Sequence, residues 1–334
     1  MTSIAIFGAG SIGCYVGGRL QTGGNAVTLI GRPRLGEILQ SRGLTLSDYH
    51  GWQTHITPDT LHFSTEATAL TQADLVLVTV KSADTTAAAE TLARALKPDA
   101  LVISLQNGLH NAETLASRLP QHTVLAGMVP FNVAQTEAGH FHQGSEGELA
   151  VQTHSQLEKF RRAFVQAGLP LEEHADMKAV QWAKLLLNLN NAVNALSGLP
   201  LKTELEQRDY RRVLAAAQEE ALSLLRDKNQ TLAKLTPLPP HWIPKLLRMP
   251  DIFFRVAAKK MLAIDPLARS SMQDDLVAGR KTEIDVLQGE ILALAKAAGK
   301  SAPVNTRLLA LIHEAEAGGR RNWSSAALRA EILR

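Results

Sequence analysis

The stretch FGAGSIGCYVGG, residues 7–18, carries the decision about fold. It sets five glycines, Gly8, Gly10, Gly13, Gly17 and Gly18, directly after the apolar run SIAIF at residues 3–7. Each glycine costs backbone entropy, so this crowding implies that something must come close to the main chain. Read as strand, turn and helix, residues 8–13 have the G-x-G-x-x-G spacing of a dinucleotide-binding turn. Gly8 then makes the tight turn, Gly10 admits a pyrophosphate to the backbone, and Gly13 lets the helix pack against its strand. The phosphates meet the amides of the helix N-terminus, so Gly8, Ala9, Gly10, Ser11, Ile12 and Gly13 together are the expected cofactor cradle. Gly17 extends the same packing face. The bland alternative is a glycine-rich turn that serves packing alone, and the strand that follows at the right distance tells against it.

Outward from this turn, short apolar runs alternate with helical stretches. Strands are expected at 3–8, 26–31, 74–81, 100–106 and 123–130, and helices at 82–98 and 111–120. The strands are apolar nearly throughout rather than alternating, as in a parallel sheet buried on both faces. Strand–helix alternation predicts an α/β fold with a Rossmann-type, doubly wound sheet. Residues 140–154, HFHQGSEGELAVQTH, read as a hairpin around the Gly144–Gly147 turn, antiparallel at the sheet edge. After residue 176 the texture becomes all-helical. One long helix is expected over 176–200, ended by Gly198 and Pro200, with further helices at 204–228, about 252–264, 272–298 and 303–315. The expected domains are 1–176, dinucleotide-binding, and 177–334, an all-α substrate and dimerisation domain. Five prolines between 237 and 250 mark a linker-like or lid-like insertion inside the helical part.

The bulk numbers narrow the class. A chain of 334 residues, 45% hydrophobic and 20% charged, is ordinary for a globular protein of about two domains. A net charge of +3 lacks the clustered basic stripe of a nucleic-acid binder. The single cysteine, Cys14, allows no intrachain disulfide and fits a reducing compartment. The N-terminus carries no basic segment ahead of its apolar run, and no run reaches the length of a membrane span. The expectation is a cytoplasmic protein with a small-molecule substrate and no nucleic-acid or membrane partner. The eleven histidines show no metal-ligand spacing, so no metal is expected.

The second strand distinguishes between cofactors. An NAD site usually ends this strand in Asp or Glu, which holds the ribose 2′-hydroxyl. Here it ends LIGRPRLGE, with Arg32 and Arg34 and no acid before Glu37. An arginine suits a 2′-phosphate through charge-assisted, bidentate contacts, so NADP (NADPH) is the expected cofactor. Two solvated surface arginines are the alternative. Lys81, which ends LVLVTVK, stands at the carboxyl edge of the sheet and is a second cofactor candidate.

Six stretches in order, GAGSIG, VTVKSAD, SLQNGL (104–109), WAKLLLNLNNAVNAL (182–196), SSMQDDLVAGRKTEID (270–285) and APVNTRLL (302–309), resemble the ketopantoate reductase (2-dehydropantoate 2-reductase) family over nearly the whole chain. The resemblance implies an oxidoreductase that reduces a 2-keto acid with NADPH, ketopantoate to pantoate in pantothenate biosynthesis. It also implies that Lys184 is the general acid, Glu283 its partner, Asn107 and Asn188 positioning groups for cofactor and substrate, and Ser271 a substrate contact. Relatives of this kind often pair, so a homodimer is plausible on the same ground. The chemistry is sound in itself: hydride arriving at a ketone leaves charge on oxygen, and a donor must stand within hydrogen-bond reach. A lysine in a closed cleft is desolvated toward a useful donor range, and Asn188 lies one turn along the same face.

Each of these residues also has a plainer reading. From the helix alone, Lys184 on KLLLNLNN reads sooner as a side chain snorkelling to solvent, and Glu283 reads as a first-turn acid favouring the helix dipole. Ser271 with Asp274 fits a capping box, which is compatible with a substrate carboxylate at the same helix N-terminus. Asn107 before Gly108 is an ordinary turn pair. Two features depart from the family pattern. Its second asparagine, eight residues after the lysine, is Ala192 here, with Asn191 and Asn194 nearby as substitutes. The 229–266 insertion, with Trp242, Phe253, Phe254, Lys245, Arg248, Lys259 and Lys260, is long for a compact member. These departures keep open a reductase of another, bulkier 2-keto acid, and a non-catalytic NADP-sensing protein.

Overall fold

The computed structural model describes residues 2–259, 262, 265–266 and 268–333. The chain divides into two compact units, Met1–Met177 and Lys178–Arg334. In the first unit the strands are β1 (Ser3–Phe7), β2 (Ala26–Ile30), β3 (Leu44–Asp48), β4 (Gln53–Ile56), β5 (His62–Ser64), β6 (Leu75–Val78), β7 (Leu101–Ser104), β8 (Val124–Met128), β9 (Val133–Glu137), β10 (His140–Gln143), β11 (Leu149–Gln152) and β12 (Leu171–His174). Its helices are α1 (Ser11–Thr22), α2 (Pro33–Arg42), α3 (Thr85–Ala95), α4 (Asn111–Arg118) and α5 (Glu158–Gln166).

Eight strands form one sheet in the order β12-β11-β8-β7-β6-β1-β2-β5. Its six central and edge strands from β5 to β8 run parallel, and the order reverses between β1 and β6, where doubly wound sheets bind ligands. Both faces are covered. Ile4, Ile6, Leu75, Leu77, Leu101 and Ile103 pack on the side of α1 and α5, while Ala5, Val76, Val78 and Val102 pack on the other with Leu92 and Leu115 of α3 and α4. This two-sided burial is why the strands read as unbroken apolar runs.

A second sheet, β4-β3-β10-β9, lies against α1. A Cβ at Gly18 would stand 2.6 Å from Leu46 of β3, so this glycine permits the approach of helix and second sheet. The expected 140–154 hairpin does not form. β10 pairs with β9 and β3, whereas β11 leaves to pair antiparallel with β8. Between them Gly147, at φ +140°, passes so close to Pro130 that any Cβ would collide with the proline ring, and the chain crosses from one sheet to the other instead of turning back. Cys14 is fully buried on α1, and burial pushes its thiol up.

The second unit contains α6 (Met177–Asn188), α7 (Asn190–Ser197), α8 (Leu201–Leu205), α9 (Arg208–Asp227), α10 (Ile243–Leu247), α11 (Asp251–Ala257), α12 (Ser271–Val277), α13 (Gln288–Ala297), α14 (Pro303–Glu316) and α15 (Ser325–Ile332). The single helix expected over 176–200 is broken at Leu189, where the buried Gln288 amide donates to the Leu189 carbonyl (3.1 Å) and enters the backbone ladder. Gly198 ends α7 in the left-handed conformation, φ +68°. The helix expected over 272–298 is also two. Gly279, at φ +64°, closes α12 with Gly279 N on Leu276 O and Arg280 N on Asp275 O, a Schellman ending.

The proline-rich insertion is folded and tied down. Arg211 of α9 is fully buried and donates to the carbonyls of Leu205, Leu247 and Met249 and to Asp251, with its guanidinium 4.0 Å from the Phe254 ring centre. Ile243, Leu247 and Phe254 are buried, while Trp242 and Phe253 stay exposed. Lys260 and part of the expected 252–264 helix lie outside the described residues. Among the described residues no helix is long and apolar enough to cross a membrane.

Candidate active site

The glycine turn is built by backbone contacts. Gly8 N and Ala9 N both donate to Ile30 O of β2, and Thr79 Oγ1 donates to Gly8 O at 2.8 Å. Gly8 adopts φ +110°, and a Cβ there would stand 2.6 Å from Val80 N. A Cβ at Gly13 would meet Gly8 O at 2.6 Å and Thr79 Oγ1 at 2.7 Å, so the helix start sits directly on the turn. Gly10 differs: the nearest atom to its Cβ position is Gly8 O at 3.9 Å, and the residue faces solvent. The first intrahelical bond is Cys14 N to Gly10 O, which leaves the Ser11, Ile12 and Gly13 amides at the positive end of α1. A turn closed behind by Gly8 and Gly13 and open in front at Gly10 fits a dinucleotide pyrophosphate.

The other expected cofactor residues converge on the same sheet edge. Arg32 directly precedes α2; its side chain is 87% exposed and stands 3.9 Å from Asp84, in the turn after β6. That loose, exposed pair leaves the guanidinium able to exchange its partner. Lys81 opens the turn at Ser82–Asp84, its carbonyl accepting from Asp84 N. Ser82 Oγ donates to Asn107 O at 2.8 Å, which joins the segment after β6 to the one after β7. Behind them runs a buried chain of polar side chains: Ser104 to Gln106, Gln106 to Thr85, and Thr85 to Asn111, whose amide reaches Ser82. Sequence reasoning missed these supports. Their only signal is polar residues at positions where strand and helix patterns call for apolar ones.

In the second unit Lys184 lies on α6 with Asn188 one turn later. The protein atoms packed around its ammonium desolvate it and push its pKa down to about 8. The turn holding Glu283, which immediately precedes Ile284–Val286, leads into Gln288 and so is anchored at the α6–α7 joint through the Leu189 carbonyl. Glu283 thus stands just ahead of the short Ile284–Val286 turn, and the acid within that turn is Asp285. Ser271 is also displaced from its expected cap role: Ser270 caps α12, accepting from Gln273 N at 3.2 Å, and Ser271 is the exposed first helical residue. The capping frame is Ser270-x-x-Gln273.

Ala192 is wholly buried. Asn194 is buried too, and its amide is spent within the unit: it donates to Leu199 O and Glu204 and accepts from Ser270 N. Asn191 is half-buried. Among the described residues no three His, Cys, Asp or Glu side chains gather as a metal site would require.

Comparison with known proteins gives this arrangement a family. The family model described as Ketopantoate reductase PanE/ApbA matches residues 4–156, and that of its C-terminal domain matches residues 176–316. A 2-dehydropantoate 2-reductase of Halobacterium salinarum is 29% identical over 95% of this chain and 99% of its own. The crystal structure of a PanE/ApbA family ketopantoate reductase from Ralstonia eutropha is 32% identical, with a TM-score of 0.80 over 95% of this chain and 99% of that one. D-mandelate dehydrogenase, solved with NADH and anilino(oxo)acetate, shares the fold at 19% identity and a TM-score of 0.77, covering 95% and 99% of the two chains. The chain belongs to the ketopantoate reductase family, a family of oxidoreductases acting on CH–OH groups.

Proposed function

We propose that this family member reduces 2-dehydropantoate (ketopantoate) to pantoate with NADPH, the first unit binding the cofactor and the second the keto acid. The observation that carries the reading is Lys184, whose ammonium is brought down to about 8 on the helix that also presents Asn188. When bound, the reduced nicotinamide supplies the hydride to the ketone carbon. Lys184 donates its proton to the carbonyl oxygen as negative charge builds there, so the product leaves as the hydroxy acid and the lysine as a neutral amine. Asn188 holds the lysine or a substrate hydroxyl without adding charge. Ser271 and the first-turn amides of α12 receive the substrate carboxylate, and Glu283 orients Lys184 and returns its proton from solvent. Gly8, Ala9, Gly10, Ser11, Ile12 and Gly13 hold the pyrophosphate, Arg32 the 2′-phosphate, and Lys81 and Asn107 the remaining cofactor contacts.

A second reading has one observation in its favour. Ala192 puts a buried methyl group where the family pattern has an amide, which favours a bulkier, less polar 2-keto acid. The deciding experiment follows the loss of NADPH absorbance with ketopantoate, with NADH run beside it and bulkier 2-keto acids afterwards. Rapid loss of NADPH with ketopantoate supports the first reading. Turnover confined to the bulkier acids supports the second, and tight NADPH binding with no turnover at all defeats both.

A further inference from the structure

Glu204 of α8 is completely buried, and none of the roles above uses it. Its Oε2 accepts from Asn190 Nδ2 at 3.0 Å and from Asn194 Nδ2 at 3.3 Å. Its Oε1 and Asn190 Oδ1 are both buried and both lack a donor. Two orphaned acceptors on one already bonded pair of side chains is a costly arrangement if the carboxyl is ionised. One proton removes both deficits. A hydroxyl on Oε1 would have the unfilled Asn190 Oδ1 as its acceptor on the same bonded pair, which with the Asn190 Nδ2 bond to Oε2 would make a two-bond acid–amide ring.

The surroundings agree. Glu204 forms no ion pair among the described residues. On α9, the facing Tyr210 phenol donates to Trp323 O, and the neighbouring Arg211 is committed to the Leu205, Leu247 and Met249 carbonyls and to Asp251. On α7 the partners are the neutral Asn190 and Asn194. Burial without a cation pushes the Glu204 carboxyl up to about 8.

The ring is connected to the start of α12. Asn194 donates to Glu204 and accepts from Ser270 N, and Ser270 caps the helix. Leu201 N, three residues before Glu204, donates to Ala268 O. We propose that Glu204 is held as a neutral acid paired with the Asn190 amide, and that through Asn194 it positions the capped N-terminus of α12 and hence Ser271. The positioning half rests on Ser271 being a substrate contact; the neutral acid does not.

The test uses the full chain. Infrared spectra at neutral pH contain the carbonyl band of a protonated carboxyl that is lost in Glu204→Gln and shifted to higher frequency in Asn190→Leu. The sign of the pH dependence is fixed. A carboxyl raised from 4.5 to about 8 binds its proton more tightly when folded, so its stabilisation is full below pH 4.5 and is lost as pH rises to about 8. The Tm of wild type minus that of Glu204→Gln therefore falls across that interval and is flat above it. Glu204→Ala raises KM for the keto acid about tenfold with kcat little changed, while Glu204→Gln, which can donate and accept as the neutral acid does, restores it. Absence of the band, or a Tm difference that grows with pH, overturns the neutral acid. A Glu204→Gln enzyme as impaired as Glu204→Ala overturns the positioning role. If wild type itself reduces no 2-keto acid, the functional reading fails, and the band and the Tm difference still decide the state of Glu204.

Discussion

The candidate residues of the first unit and those of the second are made of different material. The glycine turn of the first unit is carved from backbone: its shape comes from Gly8, Gly10 and Gly13, and its charge from helix amides. The candidates in the second unit, Lys184, Asn188, Ser271 and Glu283, would act through side chains, on elements tied by buried polar bonds: α9 to α6, α7 to α8, Asn194 to Ser270 ahead of α12, and Gln288 of α13 to Leu189 O. A backbone site fails when atoms are added to it. A side-chain site fails when atoms are taken away, or when a proton is.

Lys184→Ala tests that contrast most severely. Loss of a general acid lowers kcat by about 10²–10⁴-fold, with the circular dichroism spectrum and NADPH affinity unchanged. A variant with near-normal turnover would remove Lys184 from the chemistry. The pH profile sharpens the same point. The charged donor exists below its pKa of about 8, so log kcat is level below that pH and falls above it. A profile that stays level through about pH 9 and falls only near the ordinary lysine value of 10.5 would mean that the ammonium is not desolvated in the working enzyme.

Arg211→Ala probes the scaffold of the same unit. It strips donors from three carbonyls and the stacking partner from Phe254, and is expected to cost about 3–4 kcal/mol by chemical denaturation. Stability close to wild type would mean that the 243–257 segment does not depend on Arg211 for its place.

How much of this was legible in the sequence follows from the same contrast. The turn was readable because glycine spacing is a direct record of where backbone must come close, and the parallel strands because two-sided burial leaves unbroken apolar runs. Helix breaks were not. At Leu189 the interruption comes from Gln288, distant in sequence. At Gly279 a local signal was present, but helical periodicity on both sides concealed it. The 140–154 hairpin failed because Gly144–Gly147 looks like a turn, whereas the collision with Pro130 that redirects it depends on a residue outside that window. Ser270 and Ser271 are equivalent on paper, and Asn194, through Ser270 N, singles out the first. Glu204 and Arg211 were invisible, because charged residues on amphipathic helices read as solvent-facing until packing encloses them.

The paired variants Gly8→Ala and Gly10→Ala divide the backbone site into its closed and open sides. Gly8→Ala forces a methyl group onto Val80 N at φ +110° and is expected to destabilise the chain by about 1–3 kcal/mol. Gly10→Ala meets no atom nearer than 3.9 Å, so thermal stability stays near wild type while NADPH binding weakens. Equal loss of stability in both would mean that the turn serves packing alone.

The smallest expected effect belongs to Arg32, a side chain rather than a backbone element on the first unit. Because Arg32 is solvent-facing and pairs only loosely with Asp84, Arg32→Ala leaves folding and NADH affinity untouched. It removes a charge-assisted contact to a 2′-phosphate, which lowers NADPH affinity by roughly tenfold, more at low salt than at high. If NADPH and NADH affinities fall together, Arg32 does not read the 2′-phosphate. A neighbouring cation such as Arg34 or Lys81 would then have to account for any preference for NADPH, and the same titration repeated on Arg34→Ala and Lys81→Ala would identify it.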